Sequence, residues 1–178
     1  MTAIVGLINK GDIYLGGDSS SADADTYHVH RIANPKVFKK RDFVIGYTSS
    51  FRMGQILQHC FEPPNNSRSN PMQYMVADFI PCLRKCFNEQ WKEDAGGTFL
   101  IGYKGKLFSI YDDFQVNESQ DGYAAIGCGS ELSLGSLYTT NKMNLKPRAR
   151  VKTALEAAEQ FSGYVVSPFN IVCLRSGE

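Results

Sequence analysis

A threonine stands directly behind Met1, in the run Met1-Thr2-Ala3-Ile4-Val5-Gly6. Removal of Met1 would place a hydroxyl and a free α-amine on one residue. That amine has an ordinary pKa of about 7.7–8.0, so an unprotonated fraction exists near neutral pH. A threonine hydroxyl beside a built-in base is an activated nucleophile for acyl transfer. Asp18 closes the stretch Ile13-Tyr14-Leu15-Gly16-Gly17-Asp18. The apolar runs Ala3–Ile8 and Ile13–Gly17 flank Asn9-Lys10-Gly11-Asp12, a turn sequence that folds them into a hairpin. A hairpin in that register returns Asp18 to the start of the first run.

The elements that must position these groups can be read along the chain. Ser19–Asp25 is small and polar and reads as a loop. Tyr27–Ile32 alternates as a short strand, with His28 and His30 on one face. The turn Asn34-Pro35 sets Lys36 at the start of a β run, and Phe43–Thr48 is a continuous apolar strand. Its end, Gly46-Tyr47-Thr48-Ser49-Ser50, opens a helix over Phe51–Phe61, with Ser49 or Ser50 as N-cap. Backbone N–H groups at such a junction are unpaired and can donate to an anion. Met72–Lys92 is the longest helical pattern, and Pro81 should kink or divide it. After a break at Gly96-Gly97, Thr98–Tyr103 and Lys106–Tyr111 form a second hairpin around Lys104-Gly105. Phe114–Val116 reads as a short strand. Tyr123–Ile126 is another strand, and it ends in Gly127-Cys128-Gly129-Ser130, the entry to a helix over Glu131–Thr140. Lys142–Arg150 reads as a solvated loop, Val151–Phe161 as an amphipathic helix and Pro168–Leu174 as the last strand. Runs of strands followed by runs of helices predict one α+β layered domain over residues 1–178.

Composition excludes several classes of function. The formal net charge is +1, from 19 basic and 18 acidic residues, which leaves no electrostatic footprint for nucleic acid or an anionic membrane. No apolar run approaches a membrane span, and the N-terminus lacks the regions of a secretory signal, so a cytoplasmic protein is expected. Five scattered cysteines are expected to be reduced. Cys82 and Cys86, with His59-Cys60 upstream, lack paired Cys-x-x-Cys spacing, and the histidine pair lacks a third ligand, so no metal is expected. The Gly-rich turn at 127–130 is not followed by Gly-Lys-Ser/Thr, and no nucleotide or other cofactor is expected.

Four stretches together resemble the proteasome β-subunit family, including its bacterial ring-protease branch. They are Thr2–Gly6; Gly16-Gly17-Asp18-Ser19; Lys36-Val37-Phe38 with Ile45-Gly46-Tyr47; and Ala125–Ser130 followed by Leu134-Gly135-Ser136-Leu137. The resemblance spans nearly the whole chain. It implies the N-terminal nucleophile hydrolase architecture, a four-layer αββα sandwich of two antiparallel sheets between helix layers. It implies Thr2 as nucleophile, Asp18 as its acidic partner and Lys36 as the active-site lysine, whose ammonium favours an alkoxide-like hydroxyl. It places the backbone N–H of Ser49 at the oxyanion and Tyr47 at the pocket for the side chain before the cut. It also implies a homo-oligomeric ring that hydrolyses peptides or unfolded proteins, fed by a separate ATPase unfoldase.

The chain departs from that family in two places. Cys128 stands where the family carries a serine that positions the terminal amine, and a thiol is a weaker hydrogen-bonding group, for which nearby Ser130 is expected to compensate. A late Asp and Ser pair should fall around Gln160–Val166, where this chain has only Ser162. These departures, and the need to remove Met1, keep two alternatives in view. One is a non-catalytic structural or assembly subunit; the other is an amidohydrolase acting on a small metabolite.

Overall fold

The computed structural model describes residues 2–22, 26, 28–91 and 97–177. Its strands are β1 (Ile4–Asn9), β2 (Asp12–Gly17), β3 (Ser20–Ala22), β4 (Val29–Arg31), β5 (Val37–Lys40), β6 (Phe43–Thr48), β7 (Thr98–Tyr103), β8 (Lys106–Ile110), β9 (Val116–Glu118), β10 (Tyr123–Ile126) and β11 (Asn170–Leu174). Its helices are α1 (Phe51–His59), α2 (Pro71–Tyr74), α3 (Ile80–Gln90), α4 (Ser130–Thr140) and α5 (Pro147–Phe161), with a π-helical segment, Met75–Phe79, between α2 and α3.

The first hairpin forms as expected. Lys10 and Gly11 both adopt positive φ, 52° and 88°, which matches the twist of a two-residue turn to that of its strands. The register pairs Asn9 with Asp12 and Ile4 with Gly17. One antiparallel sheet has the order β10-β1-β2-β11, and a second has the order β5-β6-β7-β8-β9. Because side chains alternate along a strand, β1 feeds two separate cores. Val5 and Leu7 pack with Leu137 of α4 and Val151 and Leu155 of α5. Ile4 turns the other way, to Val37, Val44 and Leu100 of the second sheet. A third cluster joins Ile45 and Tyr47 to Met53 and Leu57 of α1 and to Leu83 and Phe87 of α3.

Several boundaries differ from the sequence expectation, each for a local reason. Ser20–Ala22 is not loop but pairs antiparallel with Val29–Arg31, the described strand within Tyr27–Ile32. Residues 23–25 and Tyr27 lie outside the described residues. The helical stretch from 71 is divided near Pro81, and the division takes the form of a π segment in which the Ile80 N–H reaches back to Met75 O. Pro81 has no N–H and its ring crowds the preceding turn, so a widened turn just upstream relieves both defects. Lys92 and Gly96 lie outside the described residues. The basic segment before 151 is not all loop. Pro147 takes the first position of α5, where its missing N–H costs nothing. The short strand expected at Phe114–Val116 begins instead at Val116, because Phe114 has φ 67°.

The two sheets meet closely beside the start of β1. A Cβ added at Gly46 would lie 2.5 Å from Ile4 Cγ2, and one added at Gly17 would lie 2.9 Å from Ile4 Cδ1 and 3.1 Å from Val37 Cγ1. Gly46→Ala is therefore expected to destabilise the fold by about 1–3 kcal/mol through overpacking. At about 2–4 °C per kcal/mol for a domain of this size, calorimetry reads that as a clear drop in Tm.

Candidate active site

The hairpin register brings Thr2 and Asp18 together, since both lie one or two residues beyond the paired ends. The Asp18 N–H donates to Ala3 O at 3.3 Å, and the Ala3 N–H donates to Asp18 Oδ1 at 3.0 Å. Lys36 arrives from the second sheet, just before β5, where its carbonyl accepts from the Tyr47 N–H at 3.1 Å. Its Nζ donates to Thr2 Oγ1 at 2.8 Å and lies 2.9 and 3.0 Å from Asp18 Oδ1 and Oδ2. Thr2, Asp18 and Lys36 are all buried, at 1%, 2% and 1% exposure. Burial holds the Lys36 ammonium below the ordinary lysine pKa, and the Asp18 carboxylate opposes that shift without cancelling it. Lys36 therefore supplies a positive charge to the Thr2 hydroxyl while holding its protons less tightly than a solvated lysine.

The turn before α4 holds the Thr2 backbone. The Thr2 N–H donates to Cys128 Sγ at 3.3 Å, and the thiol lies 3.5 Å from Thr2 O. The Gly129 N–H donates to that same carbonyl at 3.3 Å. Gly127 has φ +94°, and a Cβ there would fall 2.2 Å from Thr2 O, so this approach admits only glycine. Ser130 does not join the group. It is the first residue of α4, its N–H donates to Gly127 O at 3.0 Å, and its side chain has no hydrogen-bond partner among the described residues. The side chain that does approach Cys128 is Ser162, whose Oγ lies 4.0 Å from Cys128 Sγ. Met1 lies outside the described residues.

Ser49 sits at φ 72°, a left-handed conformation uncommon outside glycine, and its N–H makes no hydrogen bond to a described residue. Ser50, not Ser49, is the N-cap of α1, accepting from the Met53 N–H at 3.2 Å. Tyr47 is 3% exposed and packs against Gly54 of α1, where an added Cβ would meet its ring at 2.3 Å. The aromatic group nearer the charged cluster is Phe51, whose ring centroid lies 5.6 Å from Lys36 Nζ and 6.1 Å from the Tyr47 ring. Sequence reading missed Phe51, and it missed Ser20, which is wholly buried and donates to Asp18. The signal for Ser20 was present in the spacing: it lies two residues past an acidic strand end, where Ser side chains bond back to a neighbour.

A buried ion pair is costly to break from one side. Asp18→Asn, which leaves the Lys36 charge without a counter-ion, is expected to cost about 3–5 kcal/mol in denaturant unfolding. Asp18→Asn combined with Lys36→Met should cost clearly less than the two single changes added together, because the second removes the stranded charge.

No family model matches the chain, and no curated protein matches its sequence. Solved structures do match. Thiobacillus denitrificans BPH in complex with epoxomicin aligns at TM-score 0.81 and 19% identity, over 99% of this chain and 100% of that one. Eukaryotic HslV from Trypanosoma brucei aligns at TM-score 0.71 and 14% identity, over 97% and 99%. The Gly-1 mutant of Anbu from Hyphomicrobium sp. strain MC1 aligns at TM-score 0.72 and 14% identity, over 97% of this chain and 81% of that one. The chain thus has the α+β fold, built on antiparallel sheets, of the proteasome-type β-like subunits represented by BPH, HslV and Anbu.

Proposed function

We propose that the protein is a proteasome-like threonine hydrolase that cleaves peptide bonds through Thr2 after removal of Met1. The observation that carries this reading is the 2.8 Å contact of Lys36 Nζ with Thr2 Oγ1, backed by the Asp18 carboxylate on the far side of the ammonium. A buried lysine charge aimed at a hydroxyl favours transfer of the hydroxyl proton to a base. The freed Thr2 amine, beside Cys128 Sγ, is that base. Thr2 Oγ1 attacks the peptide carbonyl carbon while its proton passes to the amine, directly or through water. The resulting oxyanion takes a hydrogen bond from the unused Ser49 N–H, and the amine returns the proton to the departing peptide nitrogen as the C–N bond breaks. Water then hydrolyses the Thr2 ester by the same base. Phe51 and Tyr47 narrow the space for the side chain before the cut.

In this reading the three cores stack as a four-layer αββα sandwich, with Thr2 at one end of the central sheet pair. Assembly as a homo-oligomeric ring accompanies it, and the exposed apolar side chains Tyr138, Met143, Leu145 and Phe161 support burial against other copies. Unfolded protein in the cytoplasm is the substrate, delivered by a separate ATPase unfoldase. Among the described residues, no helix is long and apolar enough to cross a membrane.

Thr2→Ala is expected to abolish hydrolysis of a fluorogenic peptide, by about a thousandfold or more, with assembly size unchanged. Equal activity in both proteins would assign any hydrolysis to another residue, and no hydrolysis in either would favour the structural subunit. The pH profile offers a second check. The mechanism needs Lys36 charged, so kcat/KM should fall as pH rises through its pKa, at a pH below the ordinary lysine value of 10.5.

A further inference from the structure

Ser20 is wholly buried at the start of β3, and its contacts tie three parts of the site together. Its N–H donates to Asp18 Oδ2 at 2.9 Å, and its Oγ lies 2.5 Å from the same oxygen. The Oγ also makes a close contact with Tyr164 O and accepts from Lys36 Nζ at 3.5 Å. Tyr164 belongs to the 160–166 stretch, which carries no acidic residue and which reaches the charged cluster here through a backbone carbonyl. Among the described residues, the groups facing Lys36 include Asp18 from the end of β2, Cys128 from the turn before α4, Thr2 from the start of β1, Ser20 from β3 and the Phe51 ring from α1.

From this arrangement we infer that Ser20 is a positioning residue which, acting through Asp18, sets how tightly Lys36 holds its proton. A hydroxyl has one proton, and both Asp18 Oδ2 and Tyr164 O are acceptors. The charged acceptor makes the stronger bond, so the proton is directed to Asp18. At 2.5 Å this bond draws on the Asp18 charge that holds the ammonium from 3.0 Å, and so loosens the Lys36 proton. The ammonium's own donation to Oγ, at 3.5 Å, acts the other way but is the longer and weaker contact. Turning the hydroxyl to Tyr164 O would return the full Asp18 charge to the ammonium. The inference depends on the hydrolase reading for its catalytic consequence, but its measurement needs no turnover.

The test is the titration of the Lys36 side chain in the resting full-length protein. The 13Cε resonance of labelled lysine is followed against pH and assigned by its loss in Lys36→Met. Ser20→Ala is expected to raise the Lys36 midpoint by about 0.5–1 pH unit. Ser20→Cys, with a weaker donor, should raise it less, and Ser20→Thr, which keeps the hydroxyl, should leave it near the wild-type value. If Ser20→Ala does not accumulate as folded protein, Ser20→Cys carries the test alone. An unchanged or lowered midpoint overturns the inference. Because no substrate is present, an inert Thr2 would refute the hydrolase reading while leaving this titration intact. In an active protein, the alkaline limb of kcat/KM should move up with the Lys36 midpoint.

Discussion

The Lys36–Asp18 pair, fully withdrawn from water against the Thr2 hydroxyl, is the constraint on which the rest of the structure depends. Burying two charges costs several kcal/mol per ion unless their geometry and remaining hydrogen bonds repay it. Here the carboxylate accepts from the N–H groups of Ala3 and Ser20 as well as from the ammonium. These donors come from different strands, so the pair survives only if the end of β2, the start of β3 and the residue before β5 converge. The convergence in turn requires the two sheets to close on each other around Ile4, and that explains the side-chain-free positions at Gly17 and Gly46. A stability requirement and a chemical requirement thus fall on the same few residues.

The Thr2 backbone is held with comparable strictness from the opposite side. Gly127 and Gly129 bracket Cys128, and both approach the Thr2 carbonyl more closely than a side chain at Gly127 would permit. The thiol between them touches both the nitrogen and the carbonyl oxygen of Thr2. Sulfur is a weak hydrogen-bond partner, so backbone packing, more than the Cys128 side chain, fixes where the Thr2 nitrogen lies. A left-handed Ser49 follows the ladder that ends at Thr48, and its N–H has no hydrogen-bond partner among the described residues.

Much of this was legible in the sequence, because short-range signals set the relevant geometry. Lys10-Gly11 dictates a tight turn, the turn dictates the register, and the register delivers Asp18 to Ala3. What escaped the sequence depended on tertiary placement. Pro147 falls in the basic segment that reads as a solvated loop, yet a proline at the first helical position starts α5. Ser130 sits in the same glycine-rich turn as Cys128, yet the helix it opens leaves its side chain without a described partner, and Ser162, distant in sequence, takes the contact. Ser20 lay in a run of three serines that reads as loop, and only the pairing of β3 with β4 distinguishes it from its neighbours.

The most direct test of the central claim is the intact mass of the protein from its native host, before and after exposure to a peptide epoxyketone. An amino alcohol reacts with that group through both of its heteroatoms, so one adduct reports a free amine and a nucleophilic hydroxyl on the same residue. The expected result is a chain lacking Met1 that gains one inhibitor mass, located on Thr2 by peptide mapping. A chain that retains Met1 throughout its assembled population, or a Met-free chain that gains no mass, would contradict it.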